Sequence, residues 1–73
     1  MQKEWAEMAS NYLKAELSRR GISYEQLREK LTVIGIDETS NGLNVKINRG
    51  TFSFAFALQV MKAIEAKTLR IDD

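Results

Sequence analysis

The chain has 73 residues, a net charge of +1, and no cysteine, histidine or proline. At this length one domain is expected, burying only about 60% of the unfolded chain's surface, so each large apolar residue matters to the core. Disulfides and thiolate or imidazole metal sites are excluded by composition. The missing histidine also removes the commonest general base, and no glycine-rich phosphate loop or usefully spaced carboxylate pair replaces it. The expectation is a protein that is not an enzyme and has no metal, no cofactor and no small-molecule substrate.

No apolar run approaches the roughly 20 residues that cross a bilayer, and Lys3, Glu4, Glu7, Lys14 and Glu16 are scattered through the first turns, unlike a signal peptide. A cytoplasmic protein without a membrane segment is expected. Without repeats, low-complexity tracts or linker composition, residues 1–73 read as one unit.

At 100° per residue, Trp5, Ala9, Tyr12 and Leu13 share a stripe with Met8 and Leu17 at its edges, predicting a first helix over about 3 to 20 that ends at Gly21. Trp5 reads as core. Glu16 falls within the stripe, so it must pair with a basic side chain or turn toward water. Ser23 followed by Gln26 is a capping box, predicting a second helix over about 24 to 34 with Leu27, Leu31 and Ile34 buried. Gly35 stops it, and Ile36 plugs the core from the connection.

Asp37 or Thr39 can cap a third helix running to Arg49, with Leu43 and Ile47 facing inward and Asn41, Val45, Asn48 and Arg49 facing outward. Asn44 and Lys46 flank that outer face. Gly50 supplies the left-handed terminus and Ser53 caps a fourth helix over about 54 to 66. In it Phe54, Ala57, Leu58, Met61 and Ile64 form the inner stripe. Phe56, Val60 and Ala63 make a second apolar face that needs a cover, here expected to be another protein or a second copy of the chain, for which the tail is the alternative contact. The tail, 67–73, alternates at Leu69 and Ile71 and is compatible with a strand, a docked extension or disorder.

Charge is unevenly placed. Residues 1–38 carry six basic and seven acidic side chains, whereas residues 39–64 carry Lys46, Arg49 and Lys62 and no acid. A basic surface of this kind suits a polyanion. The third helix also offers a base-reading kit: asparagine matches the adenine N6/N7 edge, arginine matches guanine O6/N7, and Val45 suits a thymine methyl. Phosphates would be met at the start of the second helix by Ser23, Tyr24 and free backbone donors, and by Lys46, Arg49 or Lys62. The plainer alternatives are a solvated helix face and, for Tyr24, packing against the first helix. Phe52, Phe54 and Phe56 at helical spacing read as core rather than as a stacking platform for single-stranded RNA.

The helix end and capped start at Arg20-Gly21-Ile22-Ser23-Tyr24-Glu25-Gln26-Leu27, and the exit Asn48-Arg49-Gly50-Thr51-Phe52-Ser53, resemble the phage-repressor-like (Cro/repressor, xenobiotic-response-element type) helix-turn-helix superfamily over roughly residues 13 to 66. Leu13-Lys14-Ala15-Glu16-Leu17, with the same entrance and exit, is similar to a family of small bacterial proteins classed as a domain of unknown function. The broader resemblance implies an all-α fold of four or five short helices, lambda-repressor-like with an extended turn, whose third helix reads the major groove of double-stranded DNA. It implies a homodimeric bacterial transcriptional regulator. Arg28 stands where that superfamily has a small residue, Tyr24 where it has a phosphate-contacting glutamine, and Leu17 and Asn48 where an arginine and a glutamate commonly pair. The alternative is a protein-interaction module on the same fold, using Phe56, Val60 and Ala63.

Overall fold

The computed structural model describes residues 2–69. Among them are four helices and no strand: α1 (Gln2–Arg19), α2 (Tyr24–Val33), α3 (Ser40–Arg49) and α4 (Phe54–Ala63). The all-α expectation holds, with each helix within about three residues of its predicted bounds. None is long and apolar enough to cross a membrane.

The start signals work as the side-chain chemistry requires. Ser23 Oγ accepts from the Gln26 N–H at 3.1 Å, and Gln26 Oε1 accepts from the Ser23 N–H at 2.9 Å, closing the capping box. Thr39 takes the cap of α3, accepting from the Gly42 N–H at 2.9 Å, and Ser53 caps α4 through the Phe56 N–H at 3.0 Å. The stops share a second grammar. After α1, α2 and α4 the chain passes through a left-handed residue, and the next N–H bonds back five residues: Ile22 to Leu17, Ile36 to Leu31, Ala66 to Met61, each at 2.9 Å. Those three residues, Ile22, Ile36 and Ala66, all pack on the core. Each stop therefore sends an apolar side chain back under the helix it ends.

The core is built from i, i+4 pairs, one per helix: Leu13 and Leu17, Leu27 and Leu31, Leu43 and Ile47, Phe56 and Val60, joined by Met61 and Ile64. α3 packs on both α1 and α2, and α2 on α4. The connection between α2 and α3 spans Ile34 to Thr39 and is filled from below by half-buried Ile36, as expected. Glu16 is buried and held by Arg19 and Arg20. Burial pushes its pKa up, but the hydrogen bonds and positive charge of Arg20 and Arg19 outweigh this and leave the carboxyl below its ordinary value.

Three packing expectations are corrected. Trp5 is 67% exposed and Met8 is exposed as well. The inward stripe of α1 is Ala6, Ser10, Leu13 and Leu17, because α1 meets the close-packed end of α3, where Gly50 sits with its Cα against the Ala6 backbone. A Cβ at Gly50 would lie 1.8 Å from the Ala6 carbonyl oxygen, so only small groups fit at that crossing. Ile34 is exposed, since α2 stops one residue earlier and Ile36 takes the inward place. In α4 the expected inner stripe holds only at its end: Met61 and Ile64 are buried, but Phe56 and Val60 are core as well, while Phe54 (66% exposed) and Leu58 face outward.

Candidate nucleic-acid interface

α3 begins at the Thr39 cap and ends at Gly50, whose φ of 72° turns the chain away after a single backbone bond from its N–H to the Lys46 carbonyl. Leu43 and Ile47 are fully buried, which fixes the rotation of the helix and leaves Asn41, Asn44, Val45, Asn48 and Arg49 exposed on the other side. The sequence-predicted reading face therefore exists as a surface, and no described segment covers it.

Its side chains are unequal. Asn48 is a hub: its Nδ2 donates to the Asn44 carbonyl at 2.8 Å, to Asn44 Oδ1 at 2.6 Å and toward Tyr24 Oη at 3.3 Å. Its Oδ1 accepts from Lys14 Nζ at 3.0 Å. One amide thus ties α1, α2 and α3 together. Lys14 was not singled out in the sequence. The signal was its place beside Leu13 and Leu17 on the edge of α1 that borders α3, which only the correct stripe makes visible.

Lys46 is also engaged, with Nζ 2.7 Å from Glu38 Oε2 and 4.9 Å from the centroid of the Phe56 ring. The acid-free window from 39 to 64 ended one residue short of Glu38, so the local positive charge is smaller than the sequence count. At the start of α2, Glu25 is held by Arg28 through Nη2 at 2.7 Å and Nε at 3.0 Å. The Arg28 hydrogen bond is the main reason its carboxyl stays below the ordinary value, with a smaller contribution from the Ser40 hydroxyl at the start of α3. Arg28 is thus spent on neutralising Glu25.

Ser23 and Tyr24 have structural duties. Ser23 closes the capping box, and Tyr24 is half-buried against the core with its hydroxyl at Asn48. Tyr24 thus packs on the core and meets α3 through Asn48, and no contact with α1 among the described residues accounts for it. What remains uncommitted on this side is Asn41, Val45, the Asn44 amide nitrogen and Arg49, which has no acidic partner among the described residues. Arg49 and Lys46 border a recess of about 230 Å³ completed by Thr51, Phe52, Ser53 and Phe56. The N-terminus of α4 opens into that recess.

The interface expected at Phe56, Val60 and Ala63 is not available: Phe56 and Val60 are core and Ala63 is half-buried against it. Helical periodicity could not choose between two apolar faces. The tertiary structure chose the one that also meets Leu27 and Leu31 in the core. The residues of the tail beyond Leu69, including Ile71, lie outside the described residues.

A domain of four short helices, with one polar helix held between two others and its outer face open, is the class that fold and surface define. The chain belongs to the family described as Domain of unknown function (DUF6471), whose model matches residues 5–69. No curated protein and no solved structure matches it.

Proposed function

We propose that this protein is a helix-turn-helix DNA-binding domain that lays α3 in the major groove and acts in transcription regulation. The observation that carries the reading is the open outer face of α3, bearing Asn41, Asn44, Val45 and Arg49 on a helix whose rotation is fixed by Leu43 and Ile47. Asn41 and Asn44 suit adenine edges, Val45 a thymine methyl, and Arg49 a guanine edge or a phosphate. The recess at Arg49 and Lys46, facing the positive end of α4, suits a backbone phosphate. Asn48, Ser23 and Tyr24 act in this reading by positioning α3 against α1 and α2 rather than by touching bases.

Of the two cations of α3, Lys46 is paired with Glu38 and only Arg49 is uncommitted, so a single domain would neutralise few phosphates through this helix and bind weakly at physiological salt. The test is fluorescence anisotropy with a labelled generic duplex, titrated from about 50 mM salt upward. Binding at low salt that falls steeply with rising salt is expected, with the logarithmic slope reduced by about 1 in Arg49→Ala. Absence of duplex binding at about 50 mM salt overturns the reading.

A further inference from the structure

α1 and α4 do not pack on each other over their length; each reaches the core through α3 or α2. The first half of α1 therefore runs past the core beside the start of α4, and between them lies a groove of about 510 Å³ bordered by Trp5, Met8, Tyr12, Phe52, Phe54 and Leu69. Leu58, one turn after Phe54 and so on the same side of α4, is exposed beside the groove's lining residues. Two aromatic rings two-thirds exposed, on a chain this small, exceed the scattered apolar exposure usual for a soluble monomer.

We infer that this strip is the contact surface for a second copy of the same chain, each copy laying Trp5 and Met8 against the other's Phe54 and Leu58. Area is the first argument. Trp5, Met8, Phe54, Leu58 and Leu69 together expose roughly 500–600 Å², about a tenth of the chain's surface, which is the share a small protein gives to a specific interface. Charge is the second. Among the described residues no Lys, Arg, Asp or Glu borders the groove. Lys3 and Glu7 fall on another side of the helix by their spacing from Trp5, and Glu4, one turn before Met8, lies at the edge of the strip rather than among the residues that border the groove. Nothing there selects a charged partner, whereas an uncharged aromatic strip is complementary to itself, and a two-fold axis makes each contact occur twice.

Trp5 directly precedes Ala6, the residue whose backbone Gly50 crosses at the end of α3. Self-association here would hold the ends of two α3 helices at a fixed separation. The inference does not rest on the DNA reading, because it is measured without nucleic acid.

Trp5 is the single tryptophan, which makes the contact directly visible. Sedimentation velocity on the full chain from about 1 to 200 µM, with tryptophan emission recorded across the same range, should show a mass rising from 8.3 kDa to twice that value with a concentration-dependent blue shift. Phe54→Glu puts a carboxylate at the first position of α4, where the helix favours one, so folding is retained while the dissociation constant rises at least about tenfold. Met8→Glu should do the same from the other side. A chain that stays at monomer mass with solvent-exposed tryptophan emission at about 200 µM overturns the inference, as does a dimer indifferent to both substitutions.

Discussion

Phe54 and Phe56 stand two residues apart on one helix and live in different solvents. Phe56 is 5% exposed, tilted against Phe52 at 5.5 Å between ring centroids and lying under Lys46; Phe54 is 66% exposed. The same split runs through α1, where Leu13 and Leu17 are core while Trp5 and Met8 are open. The lesson is that residue type alone does not locate the core in a small all-α chain. The inner side is selected by where α2 and α3 can approach, and small residues such as Ala6 and Ser10 decide that approach as much as large ones.

The largest way to break this division is at the junction both sides share. Gly50→Ala forces a side chain into the left-handed region and onto the Ala6 backbone, so chemical denaturation should show a loss of more than about 4 kcal/mol or no cooperative transition. Next comes the pair itself. Phe56→Ala should cost about 3–5 kcal/mol by urea unfolding, whereas Phe54→Ala, measured at concentrations where the chain is monomeric, should cost less than about 1 kcal/mol. Equal losses would show that α4 sits in the opposite rotation.

A smaller effect tests the polar side. Asn48→Ala removes the amide that links Lys14, Tyr24 and Asn44, and should lower stability by about 1–2 kcal/mol. Asn41→Ala, on the same face without such bonds in the structure, should stay within about 0.5 kcal/mol.

The smallest expected effect is the pH dependence of Glu16. Its carboxyl lies below the ordinary value of 4.5, so its contribution is fully present at neutral pH, begins to fall as pH drops toward that value, and is lost once pH passes below the depressed one. Urea unfolding at a series of acidic pH values should therefore show Glu16→Gln losing less stability than the parent chain as pH falls through and below 4.5. Some acid sensitivity should persist, because Glu25 is shifted in the same direction by Arg28.

The local structure was largely legible in the residues. Ser23 with Gln26, Thr39 and Ser53 mark three helix starts, and Gly21, Gly35 and Gly50 mark three ends, because capping is settled within four or five residues of chain. The outer face of α3 was legible for the same reason: Leu43 and Ile47, one turn apart, leave only one rotation that buries both. The end of α4 was less so. Glu65 adopts a left-handed φ of 61°, a conformation for which its residue type gives no warning.

Only the tertiary structure decided which face of α4 and which stripe of α1 turn inward. Both helices are apolar on more than one side, so hydrophobic burial is nearly degenerate until neighbouring helices supply a surface. It alone also decided that Asn48 and Lys46 are spent on Lys14, Tyr24, Asn44 and Glu38, since hydrogen bonds across 34 or 24 residues of chain leave no periodic mark. Composition and capping determined four helices with one open polar face; packing determined what that face keeps free for a ligand and where the apolar strip lies.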